Sequence, residues 1–411
     1  MGIKINSIPQ GYKATALGLI PQEWEVMRLE DLCHNQGDYG INAPATDFSN
    51  DMPTYLRITD IDDDGKFIIT NKASVNNPNS ESYHLKDGDI VFARTGATVG
   101  KTYLYNREDG DLVFAGFLIR FSPDEQRIIP YYLKAYTNTS LYWKWVKITS
   151  QRSGQPGINA TEYCSLQIPV PPLAEQRKIA EVLGVWDAAI EKQAWLVEKL
   201  ALRKRGLMQR LLSAQERLPG FSEPWKIYKL QDLFKERNET GRADLPLLSI
   251  TGDRGVIFQS ESEKRDTSND DKSKYKRIAP GDIGYNTMRM WQGRSALSNL
   301  DGIVSPAYTI VTPCKEVNGY YMSVLFKQPR LVYDFWTHSQ GLVGDTLNCK
   351  YRDFGQVRIC CPSLAEQNAI AAVLTAADRE IDLAKEKLER LRRQKRGLMQ
   401  QLLTGKKRLK Y

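Results

Sequence analysis

LAEQRKIAEVLGVWDAAIEKQAWLVEKLALRKRGLMQRLL, residues 173–212, returns as LAEQNAIAAVLTAADREIDLAKEKLERLRRQKRGLMQQLL, residues 364–403. The two stretches lie 191 residues apart (364 − 173) with no insertion between them, and 20 of the 40 positions are identical. Self-similarity on this scale is the mark of a repeat architecture. Upstream the correspondence loosens without ending. Trp24, Val26, Leu29, Asp31 and Leu32 match Trp225, Ile227, Leu230, Asp232 and Leu233. Gly88-Asp89-Ile90 followed by Gly100-Lys101 matches Gly281-Asp282-Ile283 followed by Gly293-Arg294, and Tyr131-Tyr132-Leu133 matches Tyr320-Tyr321-Met322. The offset drifts from 201 (225 − 24) to 189 (320 − 131), so small insertions separate the landmarks. The chain therefore reads as a tandem duplication in four segments: a variable domain over 1–170, a near-constant helix over 171–215, a second variable domain over 216–361 and a second near-constant helix over 362–411.

Each constant segment opens after prolines (Pro169, Pro171, Pro172; Pro362) that cannot continue a strand ladder and commonly precede a helix. Apolar residues then recur at steps of four and three: Ile179, Leu183, Trp186, Ile190, Val197, Leu200, Leu207 and Leu211 in the first copy. The second gives Ile370, Leu374, Ala377, Ile381, Ala384, Leu388, Leu391, Leu398 and Leu402. That 3.5-residue period belongs to a two-helix coiled coil. Lys204 and Lys395 fall in the stripes at the same step, where a polar residue weakens packing but fixes register. Gly206 and Gly397 are expected to interrupt each helix near its end. Two matched stripes in one chain are best hidden against each other, antiparallel if related by a two-fold. The expected architecture is α/β: two α/β domains separated by an antiparallel two-helix coiled coil, with pseudo-two-fold repetition. A helix of about forty residues is about 60 Å long. Within the variable domains, 88–93 reads as a turn leading into a strand, 112–121 as another strand, and 130–146 as helix.

The whole chain has 411 residues, 41% hydrophobic and 26% charged, which describes an ordinary globular sequence of more than one domain. No run of about eighteen uncharged apolar residues occurs, so no membrane span is expected. Met1 to Gln10 shows no secretory pattern. Six cysteines (Cys33, Cys164, Cys314, Cys349, Cys360, Cys361) form no C-x-x-C, and there are only three histidines, so neither a metal site nor a disulfide framework is expected. Reduced thiols of a cytoplasmic protein are the simplest reading. The net charge of +8 is unevenly spread. Lys+Arg against Asp+Glu runs 16 to 20 over 1–170, 8 to 5 over 171–215, 21 to 18 over 216–361 and 12 to 6 over 362–411. A polyanion bound by the acidic first domain must therefore meet a local basic patch.

Gly96-Ala97-Thr98-Val99-Gly100-Lys101-Thr102 has the look of a phosphate-binding loop, but three residues separate its glycines where that loop needs four. It reads better as a glycine-rich turn presenting Arg94, Thr95 and Lys101. The matching turn, Asn286 to Arg294, keeps Gly293 and a following cation but carries Met288, Arg289, Met290, Trp291 and Gln292 at its tip. A retained frame with a changed tip suits two related readers of different targets, and arginine and glutamine can bond base edges bidentately. On chemistry alone a merely structural turn explains the tip equally well. A second basic loop runs from Thr149 to Gln155 and includes Arg152; its counterpart is Thr337 to Gly341. Lys272, Lys274, Lys276 and Arg277 form either a phosphate patch or, beside Asp270 and Asp271, a solvated loop. Gly405 to Lys410 reads as a frayed basic tail. The Glu-Ser-Glu-Lys fragment Glu261–Lys264, weighed as a nuclease remnant, lacks the upstream Pro-Asp of a nuclease, and no catalytic constellation, cofactor motif or methyltransferase N/D-P-P-Y signature is present. The candidate DNA-contacting residues are Arg94, Thr95, Lys101, Arg152, Arg289, Gln292 and Arg294. The competing readings are a nucleotidase built on 96–102 and a coiled-coil scaffold without DNA specificity. Leu-Ala-Glu-Gln, kept twice while its surroundings vary, suggests an identical outward surface for two copies of one partner.

Pro-Pro-Leu-Ala-Glu-Gln (171–176), Pro-Ser-Leu-Ala-Glu-Gln (362–367), the twice-used Lys-Arg-Gly-Leu-Met-Gln, Ser153-Gly154-Gln155-Pro156 and Gly88-Asp89-Ile90 together resemble the specificity subunits of type I restriction-modification enzymes. The resemblance covers essentially the whole chain. It implies two target-recognition domains, each reading half of a split double-stranded DNA site, and an antiparallel coiled coil between them. It further implies a monomeric, non-catalytic subunit whose partners, two methylation subunits and the restriction subunits, supply the chemistry. Contact residues do not carry over from it, so the site residues above rest on physical argument.

Overall fold

The computed structural model describes residues 8–252, 254–262, 270–341 and 347–409. Glu263 and Lys264 of the Glu-Ser-Glu-Lys fragment, Lys410 of the basic tail and residues 1–7 lie outside the described residues. Proline placement sets both long helices. The strand Gln167–Val170 ends at Pro171-Pro172 and a helix runs Leu173–Leu211; the strand Arg358–Cys361 ends at Pro362 and a helix runs Leu364–Leu402. Both continue through Gly206 and Gly397, where an added Cβ would meet nothing within 4 Å. The expected interruptions do not occur, because an unhindered glycine costs a helix only about 1 kcal/mol and neighbouring turns absorb it.

By contacts the chain divides into two compact units, Met1–Ala194 with Glu386–Tyr411, and Trp195–Lys385. In the first, an antiparallel sheet has the order Asp38–Tyr39, Leu118–Phe121, Ile90–Ala93, Thr102–Leu104. A second sheet orders Leu112–Phe114, Thr54–Leu56, Ala73–Ser74, Thr46–Asp47, and its first pair is parallel. The stretch 112–121, expected as one strand, is two, because the chain turns at Ala115-Gly116-Phe117 to serve both sheets. Helices Pro130–Tyr136 and Ser140–Thr149 cover the core, where Phe92, Phe121 and Tyr163 meet edge-on or tilted with centroids 4.9–6.4 Å apart.

The second unit repeats the principal sheet in the order Phe234–Glu236, Tyr308–Pro313, Ile283–Asn286, Ser295–Leu297. Helices Gly319–Leu325 and Pro329–His338 stand where the first unit has its pair, and Phe234, Phe326, Phe335 and Phe354 fill the core. Gly100 and Gly293 are equivalent for a physical reason. Both have positive φ (+86° and +70°), and a Cβ at either would press on the second helix, 2.7 Å from Val146 or 3.1 Å from Val332.

In each unit the two long helices pack antiparallel. Ile179 and Leu183 share a core with Met399, Leu402 and Leu403 in the first unit, while Leu211 and Leu212 share one with Ile370 and Leu374 in the second. The stripe lysines lock this register. Lys395 Nζ donates to Asp187 at 2.5 Å, and Tyr131 donates to the same carboxylate. Lys204 donates to Asp378, which also accepts from Tyr320 at 2.5 Å. Burial first, and the adjoining carboxylate second, hold both tyrosine hydroxyls above their ordinary range.

Of the Leu-Ala-Glu-Gln motif, the Glu-Gln half does not face outward, whereas Ala174 and Ala365 are exposed and Leu173 and Leu364 are half-buried. Glu175, Gln176, Glu366 and Gln367 are all buried. Glu175 accepts from Trp24 Nε1 at 3.0 Å and from Arg408, and Glu366 takes Arg217 through two bonds of 2.5 and 2.7 Å. Gln176 donates to the carbonyl of Pro171 and accepts from the Ile129 amide; Gln367 does the same with Pro362 and Asn318. Its retention thus follows from anchoring each helix start to its own domain. Arg408 also corrects the expected frayed tail: Gly405 is buried, its carbonyl accepting from Tyr12, and Arg408 pairs with Glu175 and Glu23. No helix among the described residues is long and apolar enough to cross a membrane.

Candidate nucleic-acid interface

In the first unit each candidate cation already has an internal partner. The Arg94 guanidinium lies over the Tyr39 ring, 4.8 Å from its centroid, with Nη1 3.4 Å from the Gly116 carbonyl. Lys101 donates to Asp63 at 2.5 Å, and that hydrogen bond holds the Asp63 carboxyl below its ordinary value. Arg152 forks onto both oxygens of Glu162 at 2.5 and 2.6 Å while also bonding the carbonyls of Thr149 and Gln151. Glu162 in turn closes the capping box of the helix Ala160–Cys164. Thr95 bridges Gly157 through its main chain. The structure thus brings Arg94, Thr95 and Lys101 onto one turn, with the two cations directed to different partners.

That turn offers no phosphate cradle. The amides of Gly96, Val99, Gly100 and Lys101 donate to the carbonyls of Pro156, Gly96, Ala93 and Thr98 at 3.0–3.2 Å. A phosphate-binding loop needs such amides converging on the ligand.

The second unit differs. Arg289 and Arg294 line a polar cleft of about 510 Å³ together with Arg254, Ser249, Thr251, Asn286 and Tyr308. Among the described residues none of these three arginines pairs with a carboxylate; Arg254 reaches only the Glu261 carbonyl, at 3.3 Å. Gln292 is exposed on the same turn but does not line the cleft. The cluster 272–277 is largely neutralised: Arg277 forks onto Asp301 and bonds Glu239, and Lys276 lies 3.9 Å from Glu236.

Arg254 was missed in the sequence because its hairpin keeps only two isolated identities, Ile61 with Ile250 and Asp64 with Asp253, and because Gly65 is its counterpart. The pairing reveals the match. Ile61 bridges Phe67 as Ile250 pairs with Val256, and Asp62 N to Lys66 O is repeated as Thr251 N to Gly255 O, all at an offset of 189 (250 − 61). Under that register Asp63, which closes on Lys101, corresponds to Gly252, which borders the cleft beside Arg294.

A family profile described as Type I restriction modification DNA specificity domain matches residues 21–196. The MjaX type I restriction enzyme specificity subunit of Methanocaldococcus jannaschii is 27% identical over 98% of this chain and 97% of its own. The MjaVIII specificity subunit of the same organism is 23% identical over 95% and 94%. Over nearly its whole length the chain is thus similar to type I restriction enzyme specificity subunits. Its fold agrees with solved structures. A chain from a structure describing complex assembly and conformational transition of the type I R-M system aligns with TM-score 0.57 at 18% identity, covering 94% of this chain and 99% of that one. The S subunit of M. genitalium aligns at 0.53 and 13%, covering 92% and 96%.

Proposed function

We propose that this chain is a specificity subunit that reads DNA sequence without catalysis or cofactor of its own. Its recognition domains, 1–170 and 216–361, each read one half of a bipartite double-stranded target in the cytoplasm. The long helices set the spacing of the halves, and they dock two methylation subunits that in turn engage restriction subunits. The observation that carries this reading is the retained turn frame with an exchanged tip: Gly100-Lys101 beneath Ala97 and Thr98, Gly293-Arg294 beneath Trp291 and Gln292. The exchanged tip leaves Gln292 exposed and sets Arg289 and Arg294 on an open cleft, which a turn kept only for its backbone frame does not require. With the glutamate and glutamine side chains of both motifs buried, we assign docking to the outer helical faces, where Val185, Trp195, Leu202 and Leu383 are exposed.

The test is selection from random duplexes by the single chain assembled with its methylation subunits. Two conserved blocks separated by unread bases are expected, one to two turns apart centre to centre. Exchanging 216–361 for another such domain should then rewrite one block only. Where Arg289 or Gln292 reads a base edge, alanine there should relax that block by about 1–3 kcal/mol of discrimination. No enrichment would leave the scaffold reading; a chimera with both blocks changed would refute independent halves.

A further inference from the structure

The two units differ at one matched pair of positions with an electrostatic consequence. In the first, the hairpin tip Asp62-Asp63-Asp64 stands over the turn, and Asp63, itself 96% exposed, lies 2.5 Å from Lys101. In the second, the same hairpin has Thr251 and Gly252 at the first two of these positions (Asp253 lies outside the described residues), and Arg254 follows. Arg254 is held by its own tip: its amide donates to Thr251 Oγ1 at 3.0 Å, and that hydroxyl donates to the Gly255 carbonyl at 2.8 Å. The result is a cleft in which Arg254, Arg289 and Arg294 meet hydroxyls, an amide side chain and main chain, with no carboxylate among the described residues.

We infer that this cleft is a phosphate subsite, which takes one backbone phosphate of bound DNA, and that Asp63 silences the matching cation of the first unit. The assignment rests on the DNA-reading function proposed above. Guanidinium forks suit phosphate oxygens, and Ser249 adds a hydroxyl donor in the same space. Three guanidinia with no carboxylate partner among the described residues also repel one another, and an entering anion relieves that repulsion. A guanine edge presents two acceptors, which a single guanidinium fork satisfies, whereas three cations around one space match the charge and the several oxygens of a phosphate.

The repeat itself supplies the decisive variants. An added Cβ at Gly252 meets nothing within 4 Å, so Gly252→Asp can reproduce the first unit's lock, with Gly252→Ala as the uncharged control. Binding of the assembled complex to a target and to an unrelated duplex is measured from low to moderate salt. For Gly252→Asp and for Arg254→Ala, affinity is expected to fall by the same factor on both duplexes, with the log–log salt slope shallower by about one. Gly252→Ala should match the parent. Asp63→Gly should steepen the slope by about one, by freeing Lys101. Unchanged affinity and slope in Gly252→Asp would overturn the phosphate subsite, as would a loss confined to the target duplex. An unchanged slope in Asp63→Gly would overturn the silencing of Lys101. Should the parent complex show no preference for any target, the proposed reading function fails, yet the unrelated duplex still reports on the cleft.

Discussion

Ala214 has φ of +59°, the only non-glycine at positive φ among the described residues. Its repeat partner (214 + 191) is Gly405, at φ +69°. The helix exits are therefore equivalent, and the first copy tolerates a conformation that costs an L-residue about 1–2 kcal/mol. Ala214→Gly should stabilise the second unit by about 1 kcal/mol or less, since part of the relief is offset by a more flexible unfolded chain. Gly405→Ala should destabilise the first unit by roughly 1–3 kcal/mol, because the new methyl would collide with Pro21 and press on Trp24. Urea unfolding of each variant checks both signs; a destabilised Ala214→Gly would show that the left-handed turn is not strained. The pairing of these two positions was hidden in the sequence because alanine and glycine share no side-chain chemistry. Identity breaks after Leu212 and Leu403 and resumes only at Arg217-Leu218 and Arg408-Leu409, whose arginines bond Glu366 and Glu175.

Among the elements, the long helices were the most legible, and the reason is periodicity. Ile370, Leu374, Ala377, Ile381, Ala384 and Leu388, read from their spacing, are all buried. The stripe also carries Gln193, a buried polar residue that an apolar count passes over. The lysines were legible as register-fixing positions, but their partners were not, because Asp187 and Asp378 lie far along the chain and Tyr131 and Tyr320 come from another element. Asp187→Ala would leave Lys395 and the Tyr131 hydroxyl short of their shared acceptor, costing about 1–3 kcal/mol in the first unit. The exchange Asp187→Lys with Lys395→Asp should recover part of that loss, and a double-mutant cycle should give a coupling of about 0.5–3 kcal/mol. Strict additivity would mean that the ion pair is incidental and that apolar packing alone sets the register. Short strands were less legible than the helices. The segment 112–121 has one continuous apolar pattern, and only the requirement to serve two sheets divides it.

For the whole molecule, the duplication told which residues correspond but not which side chains remain open to a ligand. Arg94, Lys101 and Arg152 stood out as cations in glycine-containing turns, yet each is matched by a ring or carboxylate supplied from elsewhere in the fold. Arg254 became visible only through strand pairing. The same long-range logic governs stability. The first unit is discontinuous: Met399, Leu402 and Leu403, nearly 400 residues from its start, are buried with Trp24, Leu183 and Tyr132 in one core. Ending the chain at Lys385 removes those three side chains, each worth about 1.5–3 kcal/mol when fully buried. It also removes Lys395 and Arg408, leaving Asp187 and the buried Glu175 without their cations. The combined loss is comparable to the whole stability of a typical domain, about 5–15 kcal/mol. Amide hydrogen exchange on the shortened chain should show protection lost across 8–194. Protection over 195–385 should persist, because that unit loses none of its own residues. Uniform loss across both units would show that they do not fold as separate cooperative bodies, and full retention over 8–194 would show that its core closes without the second helix.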